Sequence, residues 1–213
     1  MTDGQRNAHA DKGLPRMLSW LKHDNDRRRV ARSLYGSSVT QARSPTLYAE
    51  WGVPDTLQGR FEMIVLHLAL VLRRLGAEGE AGRPLAVALT EAFVEDMDDS
   101  MRELTFSDLR VPKEIKRATA ALFDRHEAYL AGMAGPHDIS LSEALAAQMA
   151  YLDPGGRLDA HKLAEYVSRC AAALDAMPAT EILAGKLGWP HPAAPAPAEP
   201  REDRHVEDQQ HDA

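Results

Sequence analysis

The chain has 213 residues, 44% hydrophobic and 27% charged, with a formal net charge of -7 and a single cysteine, Cys170. That length can bury a real core in one domain, and the composition excludes collagen-like, disulfide-rich and wholly disordered classes. The acidic balance excludes a surface built broadly to grip nucleic acid, and one thiol excludes an internal disulfide or a cysteine-based zinc site.

Residues 1–12 carry no pattern and read as a disordered lead. Leu14, Met17, Leu18 and Leu21 then fall at helical spacing, a short amphipathic piece that includes Trp20. Asp24-Asn25-Asp26 offers N-cap chemistry for a second helix through Val30, Ala31, Leu34 and Tyr35 to about Ala42. Ser44-Pro45 predicts a helix start with proline at the first helical position, and Gly52 a turn. The clearest helix follows Pro54. Asp55-Thr56-Leu57-Gln58 has capping-box form with Asp55 as the cap, and Phe61, Ile64, Val65, Leu68, Leu72 and Leu75 mark a wide apolar face ended by Gly76. Pro84 opens a helix with Leu85, Leu89, Ala92, Phe93, Met97, Met101 and Leu104 on one stripe. A break over Ser107 to Pro112 separates it from a helix reaching about Met133. Ser140-Leu141-Ser142-Glu143 is a second capping box, Asp153-Pro154-Gly155-Gly156 a turn, and two more helices follow, one over about 159–176 and one after Pro178. No segment alternates with the period of a strand. The expectation is an all-α fold: a single helical domain of about seven to eight helices over residues 13–189. From residue 190 to 213 a Pro/Ala and charged stretch reads as a disordered tail.

A bilayer span needs about 20 apolar residues. The longest apolar run, Met63 to Leu72, contains His67 and ends at Arg73-Arg74. The first residues lack a signal-peptide core, and Asp3 and Asp11 do not suit a transit peptide, so a cytoplasmic protein is expected.

Among candidate functional residues, the acidic run Glu95-Asp96-Met97-Asp98-Asp99 with Glu103 aligns carboxylates at i, i+4, where like charges repel by a few tenths of a kcal/mol. Solvent, a basic partner or a cation relieves such a row. A magnesium-dependent helical enzyme acting on a prenyl or other diphosphate is therefore the alternative function, although a second acidic motif is missing. The basic set Arg110, Lys113, Lys116 and Arg117 is its natural counterpart, by intramolecular pairing or as the other half of a binding surface. The first 44 residues hold nine Lys/Arg against four Asp/Glu, and Arg27, Arg28 and Arg29 with Trp20 upstream suit an anionic membrane surface. His67 reads as a satisfied core imidazole. Met63 four residues before it has the spacing of a haem-ligand pair, with core packing the better reading. No cofactor, metal site or catalytic set is expected.

Several ordered stretches carry a resemblance. They are Leu34-Tyr35-Gly36 to Gln41-Ala42-Arg43, Tyr48, Gly52-Val53-Pro54-Asp55-Thr56, Gly59-Arg60-Phe61-Glu62-Met63 and Leu66-His67-Leu68. Phe93-Val94-Glu95-Asp96-Met97-Asp98, Arg102-Glu103 and Asp108 to Lys116 continue the pattern. Together they resemble the ubiquinol–cytochrome c chaperone family over about residues 30–170. The resemblance implies a non-catalytic assembly factor that binds newly made cytochrome b or the nascent cytochrome bc complex. It would act at the cytoplasmic face of the inner membrane, in peripheral contact with it and without nucleic acid. The surface expected to carry this combines Asp96, Asp99 and Glu103 with Lys113 and Lys116, and with the apolar Phe106 and Leu109 of the break.

Overall fold

Pro and Gly punctuation divides the chain into helices whose apolar stripes are too wide for solvent, and those stripes converge on one central helix. The computed structural model describes residues 14–103, 110–134 and 140–192, with side chains from residue 23 onward. These residues form eight α-helices: α1 (Leu14–Ala42), α2 (Pro45–Ala49), α3 (Leu57–Ala77), α4 (Arg83–Glu103), α5 (Val111–Met133), α6 (Leu141–Met149), α7 (Ala160–Ala176) and α8 (Ala179–Leu183). Short 3-10 turns at Gly79–Ala81 and Ala150–Leu152 complete them, and no strand occurs among the described residues. The fold is all-α.

The centre is α3, packed against α1, α4, α5 and α7. Its stretch from Val65 to Leu72 is buried on every side, as expected of a helix apolar nearly all round. Burying each large apolar side chain contributes about 1.5–3 kcal/mol, so α3 organises the core. Around it, Leu85, Leu89 and Phe93 of α4, Leu122 and Tyr129 of α5, and Leu163, Tyr166, Val167 and Leu174 of α7 close the interior.

Two expectations are corrected. The first 29 helical residues are one helix, with no start at Asp24. The Asp24 carboxylate accepts from Arg27 and Arg28, at 3.5 and 3.1 Å, three and four residues downstream, so it stabilises the helix from its side. The cap of α3 is Thr56, whose hydroxyl accepts from the Gly59 amide at 3.1 Å. Asp55 instead pairs with Arg60 at 2.7 Å, and that guanidinium holds the Asp55 carboxyl below its usual range. The second capping box forms as expected: the Ser140 amide donates to Glu143 at 2.7 Å and the Glu143 amide to the Ser140 hydroxyl at 3.3 Å.

Close approach fixes one glycine before α3 and one in its first turn. Gly52 sits at φ +75, and a Cβ there would lie 2.1 Å from the Arg157 carbonyl oxygen. The same turn accepts a hydrogen bond at the Trp51 carbonyl from the Asp159 amide, tying the entrance of α3 to the start of α7. A Cβ on Gly59 would meet the Pro54 carbonyl oxygen at 1.9 Å. At the other end of α7, Arg73 donates to the Ala171 carbonyl, and Arg74 to those of Leu174 and Met177. These cations meet the carbonyl end of the helix, where its dipole favours them.

Candidate functional site

The charged residues singled out from sequence on α4 and α5 lie on the outside of this bundle. Asp96, in α4, accepts a 2.7 Å hydrogen bond from the Tyr35 hydroxyl of α1. Burial first, and the neighbouring carboxylate second, push the Tyr35 phenol far up, so it stays a donor. Asp98 pairs with Arg102 at 2.6 Å. Asp99 and Glu103 are exposed, as are Lys113 and Lys116 at the start of α5. Among the described residues no ion pair links the acids of α4 to either lysine; α5 pairs within itself, Arg117 with Glu114 at 2.9 Å. Phe106 and Leu109 lie outside the described residues, as does the side chain of Trp20. Arg27 and Arg28 share Asp24, and Arg29 pairs with Asp26 at 3.5 Å. Among the described residues no three His, Cys, Asp or Glu groups gather as a metal site. The acidic run is thus divided: Asp96 binds α1, Asp98 pairs along its own helix, and Asp99 and Glu103 face outward.

The buried polar groups form two networks. His67 is fully buried in α3. Its Nδ1 lies 2.7 Å from the Met63 carbonyl, an acceptor only, so Nδ1 carries the proton, and Nε2 accepts from the Tyr166 hydroxyl at 2.8 Å. Tyr166 in turn accepts from the Gln41 amide at 2.8 Å, which also donates to the Pro190 carbonyl at 3.0 Å. Trp189 stands edge-on to His67 with ring centres 5.2 Å apart, and its indole donates to Ser37 at 3.1 Å. Burial lowers the His67 pKa to about 4, so the imidazole is neutral at physiological pH. With both ring nitrogens engaged inside the core, the His67–Met63 spacing opens onto no site. Cys170 is buried nearby, and its thiol is pushed up to about 12 by that burial, which keeps it protonated and unreactive.

The second network was not anticipated. Glu62, 0% exposed, receives Arg125 of α5 on both carboxylate oxygens, at 2.7 and 3.0 Å, and the Tyr151 hydroxyl at 2.8 Å. Three helical segments therefore meet on one carboxylate. Its sequence signal is an acid among the apolar positions of α3 with Gln58 and Leu66, not a base, at i-4 and i+4. Also unanticipated, the chain packs beyond residue 189: Pro192 is buried and its carbonyl accepts from Arg169 at 2.7 Å.

What the described surface does offer is apolar contact. Leu57, Val87, Phe123 and Tyr151 are large apolar side chains left exposed, and two of them, Val87 and Phe123, share a groove between α1, α4 and α5. Exposed apolar side chains gathered in a groove are a feature of interaction surfaces and ligand-binding grooves.

A model of the ubiquinol-cytochrome C chaperone family matches residues 49–189. The crystal structure of the Cbp3 homolog from Brucella abortus superposes with a TM-score of 0.69 at 30% sequence identity, over 83% of this chain and 97% of that one. No curated protein matches the chain. The matched region spans every element from α3 to α8, including His67, Tyr166, Glu62 and Arg125. The chain belongs to the ubiquinol-cytochrome C chaperone family.

Proposed function

We propose that this protein is a non-catalytic assembly chaperone for the respiratory ubiquinol–cytochrome c reductase, and that it holds newly made cytochrome b until the complex matures. The family match over residues 49–189 carries this reading, and the likeness to the Brucella Cbp3 homolog over nearly all of that protein supports it. The buried polar groups are consistent with it, since His67, Tyr166 and Gln41, and Glu62, Arg125 and Tyr151, join helices to one another. The physical logic is that of a holdase: binding an apolar, incompletely assembled client lowers its free concentration below the level at which it aggregates.

A client of this kind is delivered at a membrane. No described helix is long and apolar enough to cross one; the chaperone reading puts the protein at the cytoplasmic face, in peripheral contact. On α1, the basic Arg27 and Arg29 would meet anionic lipid. Asp99, Glu103, Lys113 and Lys116, with Phe106 and Leu109, would meet the client, while Asp96 holds α4 to α1. The test is the reduced-minus-oxidised spectrum of membranes from cells lacking this protein. The proposal expects selective loss of the cytochrome b signal, restored by the wild-type gene. An intact cytochrome b signal refutes it.

A further inference from the structure

One face of α4 presents Val87, Glu91, Val94 and Glu95, at i, i+4, i+7 and i+8. Together with Phe123 of α5 and Arg28 of α1 they line a groove of about 450 Å³. Val87 is 55% and Phe123 49% exposed, so the floor of the groove is apolar and open to solvent. Its rim carries Glu91 and Glu95 beside Arg28. Asp99 and Glu103 continue the acidic row at four-residue intervals along α4 beyond the groove; all four acids are exposed, and none makes an ion pair among the described residues. Arg28 does not offset that row directly, because its guanidinium is held by Asp24 at 3.1 Å. Like charges at this spacing on one helix repel one another, and no ion pair among the described residues neutralises them.

We propose that this groove receives the end of an apolar client helix that carries lysine or arginine at its flank. The inference deepens the reading of the protein as a chaperone for a membrane-embedded subunit. Membrane-spanning helices place their Lys/Arg residues at the cytoplasmic end, so an apolar floor beside an acidic row matches that end in both character and sign. Helix-in-groove recognition uses anchors at i, i+3, i+4 and i+7. Here the apolar contact with Val87, Val94 and Phe123 supplies affinity, while the carboxylates orient the segment and speed its capture. The same row disfavours two other occupants: anionic lipid is repelled by it, and a two-fold dimer through this face would set acidic rows side by side.

The test uses the full chain and two fluorescent synthetic helices that share an apolar core and differ only in whether their flank carries lysines or glutamates four residues apart. The lysine-flanked peptide should bind roughly tenfold more tightly than the glutamate-flanked one, with a preference that fades as salt rises. Glu91→Lys with Glu95→Lys should invert the preference, and Phe123→Ser should weaken both peptides while leaving the melting temperature unchanged. Inversion by a charge swap cannot arise from misfolding. Equal binding of the two peptides, no inversion, or indifference to Phe123→Ser overturns the proposal. So does binding of anionic vesicles through these residues, or a dimer in sedimentation that Phe123→Ser dissolves. In cells, an intact cytochrome b signal without the protein is a failure of the chaperone reading. Loss of that signal with full rescue by the Glu91→Lys, Glu95→Lys, Phe123→Ser variant is a failure of the groove alone.

Discussion

Acidification should weaken this protein through one buried imidazole. In the folded chain His67 keeps a pKa of about 4, because burial removes its charged form from water, and it faces Tyr166, Trp189 and the Met63 carbonyl without a carboxylate among its hydrogen-bond partners. In the unfolded chain it titrates near 6.5. Between those values the unfolded state binds the extra proton, so stability falls as pH falls through that window and is untouched above about pH 7. Each pH unit below 6.5 costs about 1.4 kcal/mol, so the loss is about 2 kcal/mol at pH 5 and about 3 kcal/mol near pH 4. The assay is urea denaturation at pH 7 and pH 5 of the wild type and of His67→Gln, which can still accept from Tyr166 but does not titrate. Carboxylates held low by hydrogen bonds, such as Glu143 and Asp159, contribute equally to both proteins and cancel in the comparison. The wild type should lose about 2 kcal/mol more than His67→Gln on going to pH 5. Equal losses would refute the argument that the imidazole is buried neutral.

Arg125→Leu leaves the Glu62 carboxylate buried without its partner and should cost about 3–5 kcal/mol in urea denaturation. The double variant Glu62→Leu, Arg125→Leu should be less destabilised than Arg125→Leu alone, and simple additivity of the single losses would show that the pair is not a unit. Truncation after Pro192 should leave the melting temperature unchanged, whereas truncation after Trp189 also removes the carbonyls that accept from Gln41 and Arg169. That second truncation should cost about 1–2 kcal/mol. Lys113→Glu with Lys116→Glu should change stability by less than about 0.5 kcal/mol, since neither lysine makes an ion pair among the described residues. Slower, salt-dependent client capture by that folded variant is expected under the binding-surface reading, and normal capture ends it.

Local chemistry carried much of the helix map. Ser140 with Glu143 and Asp159 before Ala160 act within one turn of themselves, so their effect is legible wherever the chain goes. The buried stripes of α3 and α7 are legible for the same reason, because helical periodicity is set by neighbours three and four residues away. The family resemblance was legible too, since it rests on ordered local motifs. Asp24 marks where that reach ends. A carboxylate there can cap a new helix or pair with Arg27 and Arg28 inside a continuing one, at local energies within about 1 kcal/mol of each other. The packing of α1 along α4 and α3 goes with the continuous helix. In the same way Asp96 reads in sequence as one acid of a run, and only the approach of α1 gives it Tyr35, 61 residues away. Glu62 finds Arg125 63 residues on, and Gln41 finds Tyr166 after 125. Those pairings, and the exposure of Val87 beside Phe123, depend on which helix faces meet. Sequence neighbours set the helices and their apolar stripes; long-range packing alone decided which polar groups became buried partners and which apolar ones were left exposed.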